Sequence, residues 1–313
     1  MITIKNRNII VIVFLLIISY QVLKYSTEVL NSVKFAFDVW KNNIFPAIFP
    51  FFIISSFLIN YGFVELTSEL LKPLMRLFGI HSNISFVFIM SILSGFPSSS
   101  KYIKELYDKN IINDDIATKA LMFTHFSNPL FILGTIATLL DNKKIAIIIL
   151  IIHYLTNIII GIIFRNYHNS YCNNKINIKN SIIIINNKQP KLGHVLTTSI
   201  KSSIETLLLI LGSIAFFSFL IVIINQTFHF NNLIASIISG ILEMTTGLKY
   251  VSMLNISLKL KAALMTSFIS FGGLAIHVQI ITILDGSSIK YKPYFLSRIL
   301  HALISSVLVY MVL

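Results

Sequence analysis

The chain has 313 residues, of which 55% are hydrophobic and only 12% charged, and its mean hydropathy is +0.81. A soluble domain carries about 25% charged residues, so half that share on a chain this long excludes an ordinary cytoplasmic enzyme. A disordered chain and a disulfide scaffold are excluded too, the latter because Cys172 is the only cysteine. What remains is a multi-span membrane protein. The net charge of +13 sits between apolar segments, which favours membrane topology over nucleic-acid binding, and no nucleic-acid partner is expected.

A helical span needs about 20 mainly apolar residues. Ile9–Leu23 follows Lys5 and Arg7 and lacks a small-x-small cleavage site, so it reads as an uncleaved anchor over residues 1–24. Tyr25–Lys41 mixes apolar residues with Lys34, Asp38 and Trp40, as an interfacial helix does. Ile44–Val64 is a second span, interrupted by Pro46 and Pro50, and Leu70–Phe78 is amphipathic. Ile84–Leu93 is too short to cross and meets Ser94-Gly95-Phe96-Pro97-Ser98-Ser99-Ser100-Lys101, the pattern of a re-entrant hairpin. Ile116–Leu140 is broken at Ser127-Asn128-Pro129, where proline removes a donor and disfavours helix in the residue before it. Lys144–Phe164 is a plain span. The basic linker at 166–192 follows, with Ile182–Ile185 a short strand or compositional drift. Ile204–Asn225 crosses. Leu233–Met253 is a second hairpin, turning near Ser239-Gly240 and Glu243-Met244-Thr245-Thr246-Gly247. Leu260–Leu284 is broken at Ser270-Phe271-Gly272-Gly273, and Tyr294–Leu313 is the last span.

The second half repeats the first. Ser91–Gly95 pairs with Ser236–Gly240 at an offset of 145, and Lys119–Met122 with Ala262–Met265 at 143, as do the breaks at Ser127 and Ser270. Phe51-Phe52 and Phe216-Phe217 open matching spans. Residues 25–165 and 193–313 thus form two units of three crossings each, and an odd number of crossings inverts the second. The expected fold is all-α, an inverted repeat with two re-entrant hairpins, two broken helices, about seven crossings and interfacial helices, an architecture of secondary transporters. With the N-terminus inside, 17 of the 25 Lys and Arg are cytoplasmic and 8 outside, which supports that orientation.

Half-helix N-termini offer free N–H groups and partial positive charge to anionic ligands. The expected substrate site therefore draws on Ser94, Gly95, Pro97, Ser98, Ser99 and Lys101 beside Ser127 and Asn128. In the second half it draws on Glu243, Thr245, Thr246 and Gly247 beside Ser270, Gly272, Gly273, His277 and Gln279. Donors predominate in the first set, which leans toward a carboxylate or polyhydroxyl substrate. Plainer roles compete. Gly240, Gly272 and Gly273 suit close packing equally well. Lys101 suits a cytoplasmic edge. Glu243 is either functional or an exposed hairpin acid, and His277 either a proton-linked contact or structural. Arg298 and His301 share a helix face and suit a structural contact, His153 reads as structural, and His125 is open.

No Walker A, HExxH, CxxC or GxSxG motif occurs, so no enzyme activity, cofactor or metal is expected. The S-x-x-K of Ser98–Lys101 follows a membrane hairpin and lacks the companion motifs of penicillin-recognising enzymes. Taken in order, Phe45-Pro46 through Phe49-Pro50-Phe51-Phe52, Ser94-Gly95-Phe96-Pro97 through Lys101, Ser127–Phe131, Leu242–Gly247, Ser270–Leu274 and Arg298-x-x-His301-Ala302 resemble the sporulation integral membrane proteins of spore-forming Firmicutes. The likeness covers about residues 25–313. That family carries nucleoside-recognition Gate domains, shared with concentrative nucleoside transporters and the ferrous-iron transporter B membrane domain. In this chain Ser98-Ser99-Ser100 stand where the family pattern has small Ala and Gly residues.

The resemblance implies a multi-pass transporter or facilitator of a small organic anion, with dipicolinate crossing the outer forespore membrane as the stage V sporulation example. The substrate is the expected partner besides the lipid bilayer, and self-association is left open. A nucleoside or nucleobase carrier and a non-transporting scaffold for spore maturation are the alternatives.

Overall fold

The computed structural model describes residues 6–167 and 191–313, and every element among them is a helix. The Ile182–Ile185 run and most of the basic linker lie outside the described residues.

Helix α1 (Asn6–Lys24) leaves its apolar side chains from Ile9 to Ile17 exposed, as a lipid-facing anchor does. The expected interfacial helix and second span are one continuous helix, α2 (Ser26–Asn60), carried through a π turn at Trp40–Ile44. Pro46 and Pro50 do not interrupt it. Each proline costs one intrahelical bond, a cost that cross-helix packing offsets. The partner is α10 (Leu192–Phe228), which runs antiparallel to α2 over its whole length. Tyr25 Oη donates to Gln226 O at 3.3 Å, the Trp40 indole to Leu207 O at 2.8 Å, and Ser199 Oγ to Ser56 Oγ at 2.8 Å. Helices of 35 and 37 residues extend more than 50 Å at about 1.5 Å per residue, well beyond a hydrocarbon core of about 30 Å.

The amphipathic stretch expected at Leu70–Phe78 is divided between α3 (Phe63–Leu70) and α4 (Lys72–Leu77), and Gly62 at φ +88° makes the turn into α3. Helices α5 (Ile84–Ser94) and α6 (Ser98–Asp108) form a hairpin turned at Gly95, φ +76°. Helix α7 (Asp114–Phe123) stops, the chain runs non-helically to Asn128, and α8 (Pro129–Leu140) resumes. Helix α9 (Lys143–Ile163) closes the first half. After α10, α11 (Asn232–Leu242) and α12 (Met244–Met253) form a second hairpin about Glu243. Helices α13 (Leu258–Phe271) and α14 (Gly273–Ile283) meet at Gly272, φ +93°, and α15 (Tyr291–Val312) ends the fold.

Among the described residues, five stretches are long and apolar enough to cross a membrane: α2, α9, α10, the α13–α14 pair and α15. The other two expected crossings fall on α1 and on the interrupted α7–α8 pair, where the break at Ser127–Asn128 shortens each piece.

Packing at the second hairpin is backbone against backbone. A Cβ on Gly247 would lie 2.2 Å from Gly240 Cα, and one on Gly240 would lie 2.3 Å from the Phe268 ring. Both glycines therefore hold α11, α12 and α13 together, which is the close-packing role open to Gly240. By contrast, a Cβ on Gly212 meets nothing within 4 Å. Gly247→Ala is expected to lower the thermal midpoint of the detergent-solubilised protein, at a cost of about 1–3 kcal/mol of overpacking. Gly212→Ala is expected to leave it unchanged or slightly raised.

Candidate functional site

A helix that stops inside a membrane leaves donors and acceptors that lipid cannot satisfy. At the first break these groups are served one by one. Asn128 caps α8, accepting from Leu130 N at 2.7 Å, while its Nδ2 reaches Leu93 O and Ser94 O, each at 3.3 Å, at the end of α5. The fit is close: a Cβ on Gly95 would lie 2.5 Å from Asn128 N, so only glycine allows the hairpin tip to approach the break. Tyr154 Oη reaches Ser127 O at 2.9 Å and Ile92 O at 3.1 Å, tying the same two elements to α9.

The second hairpin solves the same problem with a carboxylate. Glu243 is the N-cap of α12, and its oxygens accept from Thr245 N, Thr246 N and both threonine hydroxyls at 2.6–3.0 Å. The residue is only 3% exposed. It is thus a buried capping acid, and the donors of Thr245 and Thr246 are occupied by it. The second break abuts this tip, since a Cβ on Gly273 would lie 2.9 Å from Met244 N. Phe271 O, at the end of α13, accepts from His277 Nε2 at 3.1 Å, and Tyr291 Oη contacts His277 Nδ1 at 2.7 Å.

One polar network joins the two breaks. Ser127 N donates to His153 Nε2 at 3.0 Å, which leaves the proton on Nδ1 for Ser270 Oγ at 2.9 Å. Ser305 Oγ also reaches Ser270 Oγ, at 2.8 Å. Arg298 is fully buried and has no carboxylate partner among the described residues. Its guanidinium donates to Met122 O, to Asn157 Oδ1 at 3.1 Å and to His301 Nδ1 at 2.8 Å. Met122 O belongs to the last turn of α7, the negative end of that broken helix, where a cation is favoured. His301 Nε2 passes the chain on to His153 O at 2.9 Å. His125 stacks on Phe96 with centroids 4.3 Å apart and bonds Tyr294 Oη at 3.0 Å, while its Nε2, beside Gly272, has no hydrogen-bond partner.

Three of the four interruptions border a cavity of about 70 Å³, and α14, which starts at the fourth, supplies part of its wall. Phe96 and Pro97 come from the first hairpin, Ser127 and Asn128 from the first break, and Glu243, Met244 and Thr245 from the second hairpin. Ile276 and Gln279 come from α14, Phe131 from α8, Asn43, Ile44, Ala47 and Ile48 from α2, and Ile210 and Ile214 from α10. Gln279 Nε2 donates to Ser213 Oγ at 2.7 Å, and its Oε1 is buried without a partner. A wider polar cavity of about 690 Å³ lies along the same helices, at Ser56, Lys101, Glu105, Glu205, Thr206 and Thr282. A third, of about 310 Å³, lies the other way, at Glu28, Ser32, Phe35, Asn225, Thr246 and Lys249.

Of the expected site residues, Pro97, Ser127, Asn128, Glu243, Thr245 and Gln279 line the central cavity. Ser94, Ser98 and Ser99 are buried within the first hairpin. Ser94 Oγ donates to Met90 O and accepts from Tyr102, Ser98 sits beside that phenol, and the Ser99 hydroxyl makes no hydrogen bond. Gly95, Gly272 and Gly273 provide close approach, whereas Ser270 and His277 serve the break itself. Lys101 lines the wide cavity, and Thr246 the third. Sequence reasoning missed Asn43, Ile210 and Ile214, whose only signal is their place on two long apolar helices. It also read His153 and Arg298 as separate residues, because their link passes through folded contacts.

No family model matches the chain. It is 29% identical, over 337 aligned positions, to the sporulation integral membrane protein YlbJ of Bacillus subtilis (strain 168), an alignment covering 97% of this chain and 82% of that protein. The chain is a multi-span membrane protein similar to YlbJ. No solved structure matches it.

Glu243→Gln is expected to destabilise the fold by about 1–3 kcal/mol, because one acceptor becomes an NH₂ facing groups that must donate. The check is thermal unfolding in detergent, with Thr245→Val, which removes only one of the four donors, falling less.

Proposed function

We propose that this chain is a secondary transporter or facilitator of a small organic anion, dipicolinate being the best candidate, acting in sporulation and not as an enzyme. The observation that carries the reading is the cavity bordered by both hairpin tips, the first helix break and the helix that follows the second break. In transporters such breaks expose backbone and capping groups to a substrate at mid-membrane. The matching order of elements supports an inverted repeat. A helix of 35 residues, a hairpin, an interrupted helix and a helix of 21 residues are followed by one of 37 residues, a hairpin, an interrupted helix and one of 22 residues. On this reading both hairpins are re-entrant, the chain crosses seven times, and the N-terminus is cytoplasmic. The similarity to a sporulation membrane protein, the motif resemblance and the Gate-type pattern of breaks support the same process.

At about 70 Å³ the cavity has room for about two waters at about 30 Å³ each, less than an aromatic dicarboxylate needs. The described state is therefore collapsed around its site, and loading requires the hairpin tips to part. Asn128 holds the first tip to the first break, and Gln279 offers an unused acceptor.

One observation favours a neutral substrate instead. The central wall carries the Glu243 carboxylate and no cation, which suits a nucleoside or nucleobase. Flux measurements in liposomes separate the two. Saturable dipicolinate movement that uridine does not inhibit is expected, with Asn128→Ala lowering the rate at least tenfold. Uridine flux without dipicolinate flux would make the chain a nucleoside carrier, and flux of neither would reject transport of both.

A further inference from the structure

The cation missing from the central wall stands in the two cavities that flank the central one along α2, the wide one beyond Ile48 and the third before Asn43. On α2, Ile48 lines the central cavity, Ser56 lines the wide one, and Phe52 lies one turn from each. On α6, Pro97 lines the central cavity, and Lys101, one turn on, lines the wide one. Gln279 and Thr282 divide in the same way on α14. The level between the two cavities is therefore that of Phe52, Lys101 and the Ser213–Gln279 bond. There Lys101 Nζ lies 4.1 Å from the centroid of the Phe52 ring and makes no hydrogen bond. The other lysines of the wide cavity have partners, Lys104 with Asp108 at 2.6 Å and Lys109 with Glu105 and Asn60, each at 3.0 Å. Glu205 is the acid on the opposite wall.

The other side repeats the arrangement. Lys249, on the second helix of the second hairpin, lies 4.3 Å from the centroid of the Phe35 ring, again on α2. It lines the third cavity, with Glu28 as the acid of that wall. Thr246, one turn before it, shares that cavity, and Thr245 lines the central one. A lysine resting on an aromatic face is attracted by the ring quadrupole without being committed to an acid. It can therefore turn to a carboxylate without breaking an ion pair.

We propose that Lys101 and Lys249 are paired anion-selecting residues, one on each side of the central cavity, which pass a carboxylate-bearing solute along the α2–α10 groove. The inference rests on the transport reading and adds the route and its charge preference. Each ammonium raises the local concentration of anions at a narrow, low-dielectric neck and lowers that of cations.

The test places a cysteine at Ile214, on the central wall, in a Cys172→Ser background. The purified protein is reconstituted in liposomes and labelled from one face at a time. The probes are two membrane-impermeant methanethiosulfonates, one bearing a sulfonate and one a trimethylammonium group. The anionic-to-cationic rate ratio is expected to fall about tenfold with Lys101→Gln from the wide-cavity face only, and with Lys249→Gln from the opposite face only. Lys101→Arg and Lys249→Arg are expected to keep the parent ratio, which separates charge from folding. Ratios unchanged by both Gln variants would overturn the proposal, as would an Ile214→Cys thiol that neither reagent reaches from either face. The expected ratios in liposomes that move no dipicolinate would refute the substrate while supporting the lysines' role.

Discussion

The meeting of the hairpins and broken helices rests on one constraint: backbone groups freed by a helix break at membrane depth must find partners inside the protein. Four interruptions create four sets of such groups, and an unpaired buried group costs about 1–3 kcal/mol. The partners are few and specific. Asn128 serves α8 and the end of α5, Glu243 serves α12, His277 serves the end of α13, and Arg298 serves the end of α7. Asn128 reaches the first hairpin and the first break at once, and His153 bonds both Ser127 and Ser270, so satisfying the backbone also draws these interruptions together. The cavity is the space they leave.

The same constraint explains a buried arginine with no acid. A guanidinium in a low-dielectric core is costly unless its donors are met. Here the acceptors are a helix-end carbonyl, an amide and an imidazole, all neutral. The arrangement fixes His301, which holds His153, which holds Ser127 and Ser270. The two halves of the chain are thus coupled at their breaks.

Much of the fold was legible because proline, glycine and short polar runs interrupt an otherwise continuous apolar signal. Ser127-Asn128-Pro129 and Gly272-Gly273 marked the breaks, and Gly95 and Glu243 marked the turns. What periodicity missed was the continuity of α2 through Pro46 and Pro50. Local propensity argues for interruption there, and the full-length pairing with α10 overrides it. Site residues divided in the same way. Asn128 and Gln279 stood out as polar groups in apolar segments. Ile210 and Ile214 did not, because an apolar residue facing a cavity and one facing lipid look alike in sequence. The donor count that suggested an anion site concerned the first set, and there Ser94 Oγ is taken by Met90 O and Asn128 Nδ2 by Leu93 O and Ser94 O.

The central claim is that both hairpin tips meet at one cavity. Pro97 and Met244 both line it, whereas Tyr310 is exposed near the end of α15. In a Cys172→Ser background, Pro97→Cys paired with Met244→Cys is expected to form an intramolecular cross-link with a short bifunctional thiol reagent, and Pro97→Cys paired with Tyr310→Cys is not. A folded protein in which the first pair stays unlinked, or links no faster than the second, contradicts the claim.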